Sequence, residues 1–284
     1  MRISNLKYII LVIIVLSSCH KGTDTPPVQP PPPLNPPCII SKISQVNSGV
    51  GTEYCLTATY ENDTIPTGLV IYDSVNKKKN FEAHFNYITP DSIRLDQYQY
   101  FKLDARKRVI RFVTKSDMTD PQNSDNYKFE YTYNDEGYLA TKILYINGSK
   151  DTSLSTTYTY ENNLMRKCVM TAVSSGNLTV LESNLEYDNS IEINNWIYTF
   201  PDAIEGYMYF TVLNFGNRPS HPLTQVVTKI FDPPSMTLLD TWTTNYRNYQ
   251  VDQNGFVLSG EADGDLQQGI ATFYGKTVFD YNCW

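Results

Sequence analysis

The side chains able to do chemistry are few and scattered. Histidine occurs three times, as His20, His84 and His221, with no His-Glu-x-x-His pair to hold a metal. There is no Gly-x-Ser-x-Gly elbow, no Gly-x-x-x-x-Gly-Lys loop and no Gly-x-Gly-x-x-Gly turn. The chain thus offers neither a nucleophile on a strained turn nor a cradle for a phosphate or dinucleotide. One cluster has ligand-like spacing: Glu261, Asp263 and Asp265 carry carboxylates at alternate positions. Calcium takes such oxygens, but the twelve-residue loop ending on a glutamate is missing. The cluster reads as a polar hairpin tip between Val257-Leu258 and Ile270. Asp117 to Asp125 reads as an exposed loop for the same reason. Neither a cofactor nor a metal is expected.

Aromatic residues offer more. Trp196, Tyr198, Phe200, Tyr207, Tyr209, Phe210 and Phe215 crowd one segment beside Asn194, Asn195, Asn214 and Asn217. Sugar rings stack on aromatic faces and bond to amides, which makes Trp196, Tyr198, Tyr207 and Tyr209 a candidate ligand platform. Large aromatics are also the main filler of β cores. The favoured reading is a plug against the concave face of a sheet, with a short helix from Pro201 to Tyr209.

Five cysteines complete the inventory. Cys38, Cys55, Cys168 and Cys283 suit two disulfides formed outside the reducing cytosol, with three pairings open. Cys38–Cys55 is favoured, because the two flank neighbouring strands, and then Cys168–Cys283. Spacings of two to four residues between cysteines, as zinc requires, do not occur.

The elements that must position these residues are strands. The 284-residue chain has 41% hydrophobic residues and includes 22 Tyr and 12 Phe, a composition that favours β structure over disorder. Phe81, Ala83, Phe85 and Tyr87 alternate with Glu82, His84 and Asn86, and Lys128 to Tyr133 alternates in the same way. Period two with one apolar face marks antiparallel strands. Ile270 to Tyr274 is a weaker strand of the same kind.

A turn recurs. Asp104, Asn134, Glu161 and Asp188 each follow an aromatic run and precede a new strand, and Asp252-Gln253-Asn254-Gly255 repeats the pattern. Spacings near 30 residues suit one long hairpin per unit, with Asp or Asn bonding its own backbone and Gly taking the corner. The expected fold is all-β: a long antiparallel meander forming a strongly curved sheet or partly open barrel, with an insert near 196–221.

The N-terminus reads as an address. Arg2 and Lys7 precede the apolar run Tyr8–Leu16, whose helical length of about 14 Å is half a bilayer core. A secretory signal over residues 1–18 fits. Leu16-Ser17-Ser18-Cys19 looks like a bacterial lipobox, which implies acylation of Cys19 and attachment through several acyl chains. Residues 19–37 then form a Pro-rich spacer of roughly 40 Å in polyproline II. Residues 38–284 make one β domain, with repeat-like hairpins over 98–281.

The pattern aromatic-x-Tyr-(Asp/Asn)-x-x-Gly-x-(Leu/Val), combined with the lipobox and spacer, resembles Bacteroidota lipoproteins of the DUF4595-like family. It is also similar to a loose form of the YD repeats of Rhs-type proteins. The resemblance implies a β-hairpin meander with an apolar insert and no assigned activity. A net charge of −7 argues against nucleic acid. The expected protein is anchored in the cell envelope at the outer membrane and binds a glycan, peptide or partner protein, or serves a structural role. The alternative is a secreted hydrolase with catalytic carboxylates dispersed over strands.

Overall fold

A computed structural model describes residues 38–46, 53–62, 65–173, 176–194, 212–233, 235–265 and 275–283, with backbone only at 150–153. Among them are seventeen strands and no α-helix. They begin with β1 (Cys38–Val46), β2 (Tyr54–Glu61), β3 (Ile65–Asp73), β4 (Lys78–His84), β5 (Asn86–Thr89), β6 (Ser92–Arg94), β7 (Tyr100–Leu103) and β8 (Val109–Lys115). The run continues with β9 (Asn126–Tyr133), β10 (Leu139–Ile146), β11 (Ser149–Glu161), β12 (Leu164–Ala172) and β13 (Leu178–Tyr187). After the insert come β14 (Leu223–Asp232), β15 (Thr237–Val251), β16 (Val257–Gly264) and β17 (Gly275–Cys283).

Sequence neighbours pair antiparallel, and β1 pairs with β17 from Cys38↔Cys283 to Val46↔Lys276. The meander therefore closes on itself as a nearly complete barrel. One seam stays unsealed: β4 pairs with β3 and β5 with β6. The expected single strand Phe81–Tyr87 is broken there. Ala83 and Phe85 point into the core; β4 and β5 meet at Phe85, beyond which Tyr87 opposes the buried Ile93 but is itself 39% exposed.

Alternation sets the two faces of the wall. In β9, Phe129 and Tyr131 are buried, and Lys128, Glu130 and Thr132 lie on the other face. Phe101, Phe112 and Phe129 stack across β7, β8 and β9, with centroids 4.3 and 6.0 Å apart. Each such ring contributes about 1.5–3 kcal/mol by leaving water. The outer face is laced by cross-strand pairs, among them Arg111–Glu130 at 3.0 Å and Lys167–Glu182 at 3.0 Å.

The recurring turns fold as their residues dictate. Asp104, Asn134 and Asp252 each accept from the backbone N–H four residues on, at 2.8 Å. The fourth turn residue has positive φ: Lys107, Gly137 and Gly255. The β11–β12 hairpin turns through Asn162 and Asn163, both at positive φ, as a tight two-residue hairpin demands.

Tyrosines tie the hairpins at this same end. Tyr60 donates to Ile40 O at 2.7 Å, Tyr249 to Leu223 O at 2.8 Å and Tyr281 to Val257 O at 2.6 Å. Tyr133 donates to Val109 O at 2.5 Å. Each hydroxyl reaches from the end of a returning strand to the start of the outgoing one. Burial pushes these phenols well above the ordinary tyrosine range, so they remain donors.

The cysteine pairing differs from expectation. Cys38 is bonded to Cys283, its direct partner in the β1–β17 ladder. Cys55 lies on the strand beside β1, but its register partner is Ser44, with Sγ 3.8 Å from Ser44 Oγ. It is thus offset along β1 from Cys38. Cys168 is buried on β12. Both stay outside the disulfide because the closing ladder, rather than sequence proximity, decides which thiols meet.

Candidate functional site

The end of the barrel carrying the Asp and Asn turns is braced by the two arms of the insert. Asn217 donates its amide to Glu136 O at 2.6 Å, and its backbone N–H reaches Gly137 O at 3.0 Å. Asn214 donates to Arg106 O at 3.4 Å, and its own carbonyl accepts from Val109 N at 2.8 Å. Asn194 donates to Asn254 O, and its backbone N–H reaches Gly255 O at 2.8 Å. Arg106, Glu136 and Asn254 are the third residue of their respective turns. Three asparagines therefore recognise one repeated carbonyl in three copies of the same turn.

Glycine is needed where this contact is closest. Gly137 and Gly255 combine positive φ with an asparagine amide 3.2 and 2.9 Å from where a Cβ would stand. Gly216, between the bracing asparagines, has φ of +91°, and an added Cβ would lie 2.5 Å from Gly137 O and 2.9 Å from the Tyr133 ring. Phe215 drops into the core and meets Tyr131 edge to face at 5.2 Å. Ile193 and Leu213 are buried beside it. The described arms of the insert thus pack as core and brace; the aromatic segment for which a plug is expected lies mostly outside the described residues.

Charge gathers at the same end. Arg108 pairs with Asp104 at 2.7 Å and lies 4.1 Å over the Tyr133 ring. Arg218 is half-buried near Tyr60 and Tyr281, and desolvation holds its guanidinium below the ordinary arginine range. His221 Nδ1 is 2.7 Å from Ile191 O, and His84 lies exposed 3.6 Å from Glu82.

No protein-family model matches the chain, and no curated protein does. Solved structures do. A porin-like protein from Bacteroides uniformis superposes with a TM-score of 0.54 at 17% identity, over 86% of this chain and 96% of that one. A porin-like protein from Bacteroides vulgatus gives 0.52 at 12% identity, over 86% and 98%. The chain shares their fold.

The polarity of the wall separates this chain from a membrane-spanning barrel. Such a barrel turns an apolar band to lipid and a polar surface to its lumen. Here the inward positions carry Ile43, Leu69, Phe101, Phe129 and Leu139, and the outward ones carry the Lys, Arg, Glu and Asp pairs described above. Lipid would strand those charges.

The sequence-predicted site residues disperse. Trp196, Tyr198, Tyr207 and Tyr209 lie outside the described residues, as do the helix expected at 201–209 and the strand expected at 270–274. The amides of Asn194, Asn214 and Asn217 each donate to a turn carbonyl. Glu261, Asp263 and Asp265 are not a hairpin tip: the first two belong to β16. Glu261 accepts from Asn248 at 2.7 Å, Asp263 pairs with Arg247, and Asp265 accepts from Thr243 N at 2.7 Å. Asp117–Asp125 is a loop, with Asp117 holding Thr119 N at 2.7 Å.

A general acid needs a raised pKa. Among the described carboxyls with a clear departure, all fall below the ordinary range. The backbone N–H of Asn76 leads the effect at Asp73, Lys167 at Glu182 and the Ser190 hydroxyl at Asp188.

The barrel interior holds a feature that the alternation rule conceals. Inward positions on β10, β11, β13 to β17 and β1 carry Lys142, Thr156, Ser183, Thr228, Thr244, Ser259, Thr277 and Gln45, all buried. Ser183 and Thr228 bond across β13 and β14 at 2.8 Å. Lys142 Nζ lies 6.0 Å from the Phe129 ring. A threonine on the apolar phase of a strand was the available signal. It is a weak one, because threonine suits strands on either face.

Proposed function

We propose that this is a lipid-anchored envelope protein whose barrel stands in water as a non-catalytic binding or structural domain. The carrying observation is the polarity of the wall. A barrel with paired charges outside and apolar residues inside has no lipid-facing surface, so membrane attachment falls to an acylated Cys19 and the Pro-rich spacer. The likeness to Bacteroides porin-like structures and the resemblance to DUF4595-like lipoproteins support an outer-membrane setting.

The test is metabolic labelling with an alkyne palmitate, followed by fractionation. The wild-type chain takes up label and sediments with membranes. Cys19→Ala takes up none and stays in the precursor form. Equal labelling of both would overturn the anchor, and a detergent requirement for the isolated domain would overturn the water-facing wall.

A further inference from the structure

The geometry points to an extended acidic peptide adding as a strand to the open edge of β4. This names the partner chemistry of the binding reading above and rests on its non-catalytic half alone, independently of the anchor.

Phe85 N donates to Thr67 O at 2.9 Å, and Leu69↔Ala83 and Ile71↔Phe81 continue that phase against β3. Alternate residues of a strand aim their N–H groups to opposite sides. The N–H and C=O groups of Glu82 and His84 therefore face away from β3. Among the described residues, no strand lies in ladder on that side.

The gap has a structural cause. The hairpin of β6 and β7 is short and turns back at Leu95, whose N–H bonds Gln99 O at 3.0 Å, while β8 runs on to Lys115. The turn is held to β8 by Gln99 on Thr114 Oγ1 at 2.7 Å. Beyond that turn, β4 has no ladder partner on its outward side among the described residues.

The outward side chains of β4 behave as edge residues: Lys78, Lys79, Asn80, Glu82 and His84 are all exposed. An open edge is a template for a further strand. Its charge selects the occupant. Lys77, Lys78 and Arg94 are exposed around it, with Lys79 paired to Glu82, on a chain whose net charge is −7. The nearby acids are engaged: Glu82 with Lys79, and Asp96 with Tyr98 N and Gln99 N. A strand bearing Glu or Asp on its outward face complements this edge, and a second acidic copy of the chain does so less well.

The test is fluorescence anisotropy with the full chain in mild detergent. The probes are a fluorescein-labelled peptide alternating Glu and Asp with Val and Thr, and its lysine counterpart. The acidic peptide binds and the basic one does not. Glu82→Pro removes one outward N–H without touching the β3 ladder, and weakens binding about tenfold. Should that variant lose its fold by circular dichroism, Lys78→Glu with Lys79→Glu provides the same test through charge and also weakens binding. Absence of binding by wild type at millimolar peptide overturns the proposal. So does equal binding of both peptides, or binding indifferent to the variants. Concentration-dependent dimerisation that Glu82→Pro abolishes overturns it in favour of a second copy. Palmitate labelling is unaffected by any of these outcomes.

Discussion

Replacing Cys38 and Cys283 together by alanine removes the covalent closure of the barrel and leaves the rest of the β1–β17 ladder to hold it. The two cysteines are 245 positions apart in sequence. The chain-entropy relation for a loop of that length gives about 5.5 kcal/mol of stabilisation at 25 °C. Native disulfides commonly contribute less, so the expected loss is about 3–5 kcal/mol. With a urea slope of about 3 kcal/mol per molar, the midpoint falls by roughly 1–1.7 M. The assay is equilibrium urea unfolding of Cys38–Trp284, oxidised wild type against the double variant, followed by tyrosine fluorescence and far-ultraviolet circular dichroism. Reduced wild type should match the double variant. Alkylation of denatured, unreduced wild type should modify Cys55 and Cys168 alone. A loss below about 1 kcal/mol would refute the reasoning, since it would mean that the ends are held together without the bond or that the bond is not formed.

Three further outcomes follow from the brace and the turns. Asn217→Ala removes the amide bond to Glu136 O and should cost about 0.5–1.5 kcal/mol in urea unfolding, while Asn217→Asp should cost more because it places a carboxylate against that carbonyl. Gly216→Ala has no room against Gly137 O and requires a left-handed backbone, so it should destabilise by more than about 1 kcal/mol; a neutral result in thermal unfolding would contradict the close approach. Asp73 accepts from Val75 N and Asn76 N at 3.0 Å and from Asn76 Nδ2 at 2.7 Å, and its carboxyl lies below the ordinary value of 3.8, led by the Asn76 backbone. Its stabilisation is present above pH 3.8 and is lost as pH falls through the lower folded value, so Asp73→Asn should flatten that part of the acid unfolding profile.

Much of the fold was legible because its signals are local. Alternation in Lys128–Tyr133 and the Asp, Asn and Gly corners at 104, 134 and 252 specify strands and turns within a few residues. The direction of Tyr133 and Tyr281 was not legible: a tyrosine before a turn reads equally as core or surface until the neighbouring strand shows its first carbonyl. Closure was also hidden. Cys38 and Cys283 meet only because β17 returns beside β1, and sequence proximity pointed instead to Cys55. The bracing role of Asn194, Asn214 and Asn217 depends on three turns far apart in sequence, and composition alone, which left a sugar platform as the alternative to a plug, does not say what their amides face. The change of partner from β3 to β6 around Phe85 was hidden because Tyr87 keeps the period-two phase across it.

The barrel is filled mainly with apolar side chains around a belt of buried polar ones, and is walled by charge. Small-angle scattering of Cys38–Trp284 in buffer without detergent tests that claim most directly. A monodisperse monomer with a radius of gyration of about 18 Å is predicted for a filled domain of this length. Recovery only in detergent micelles would contradict it.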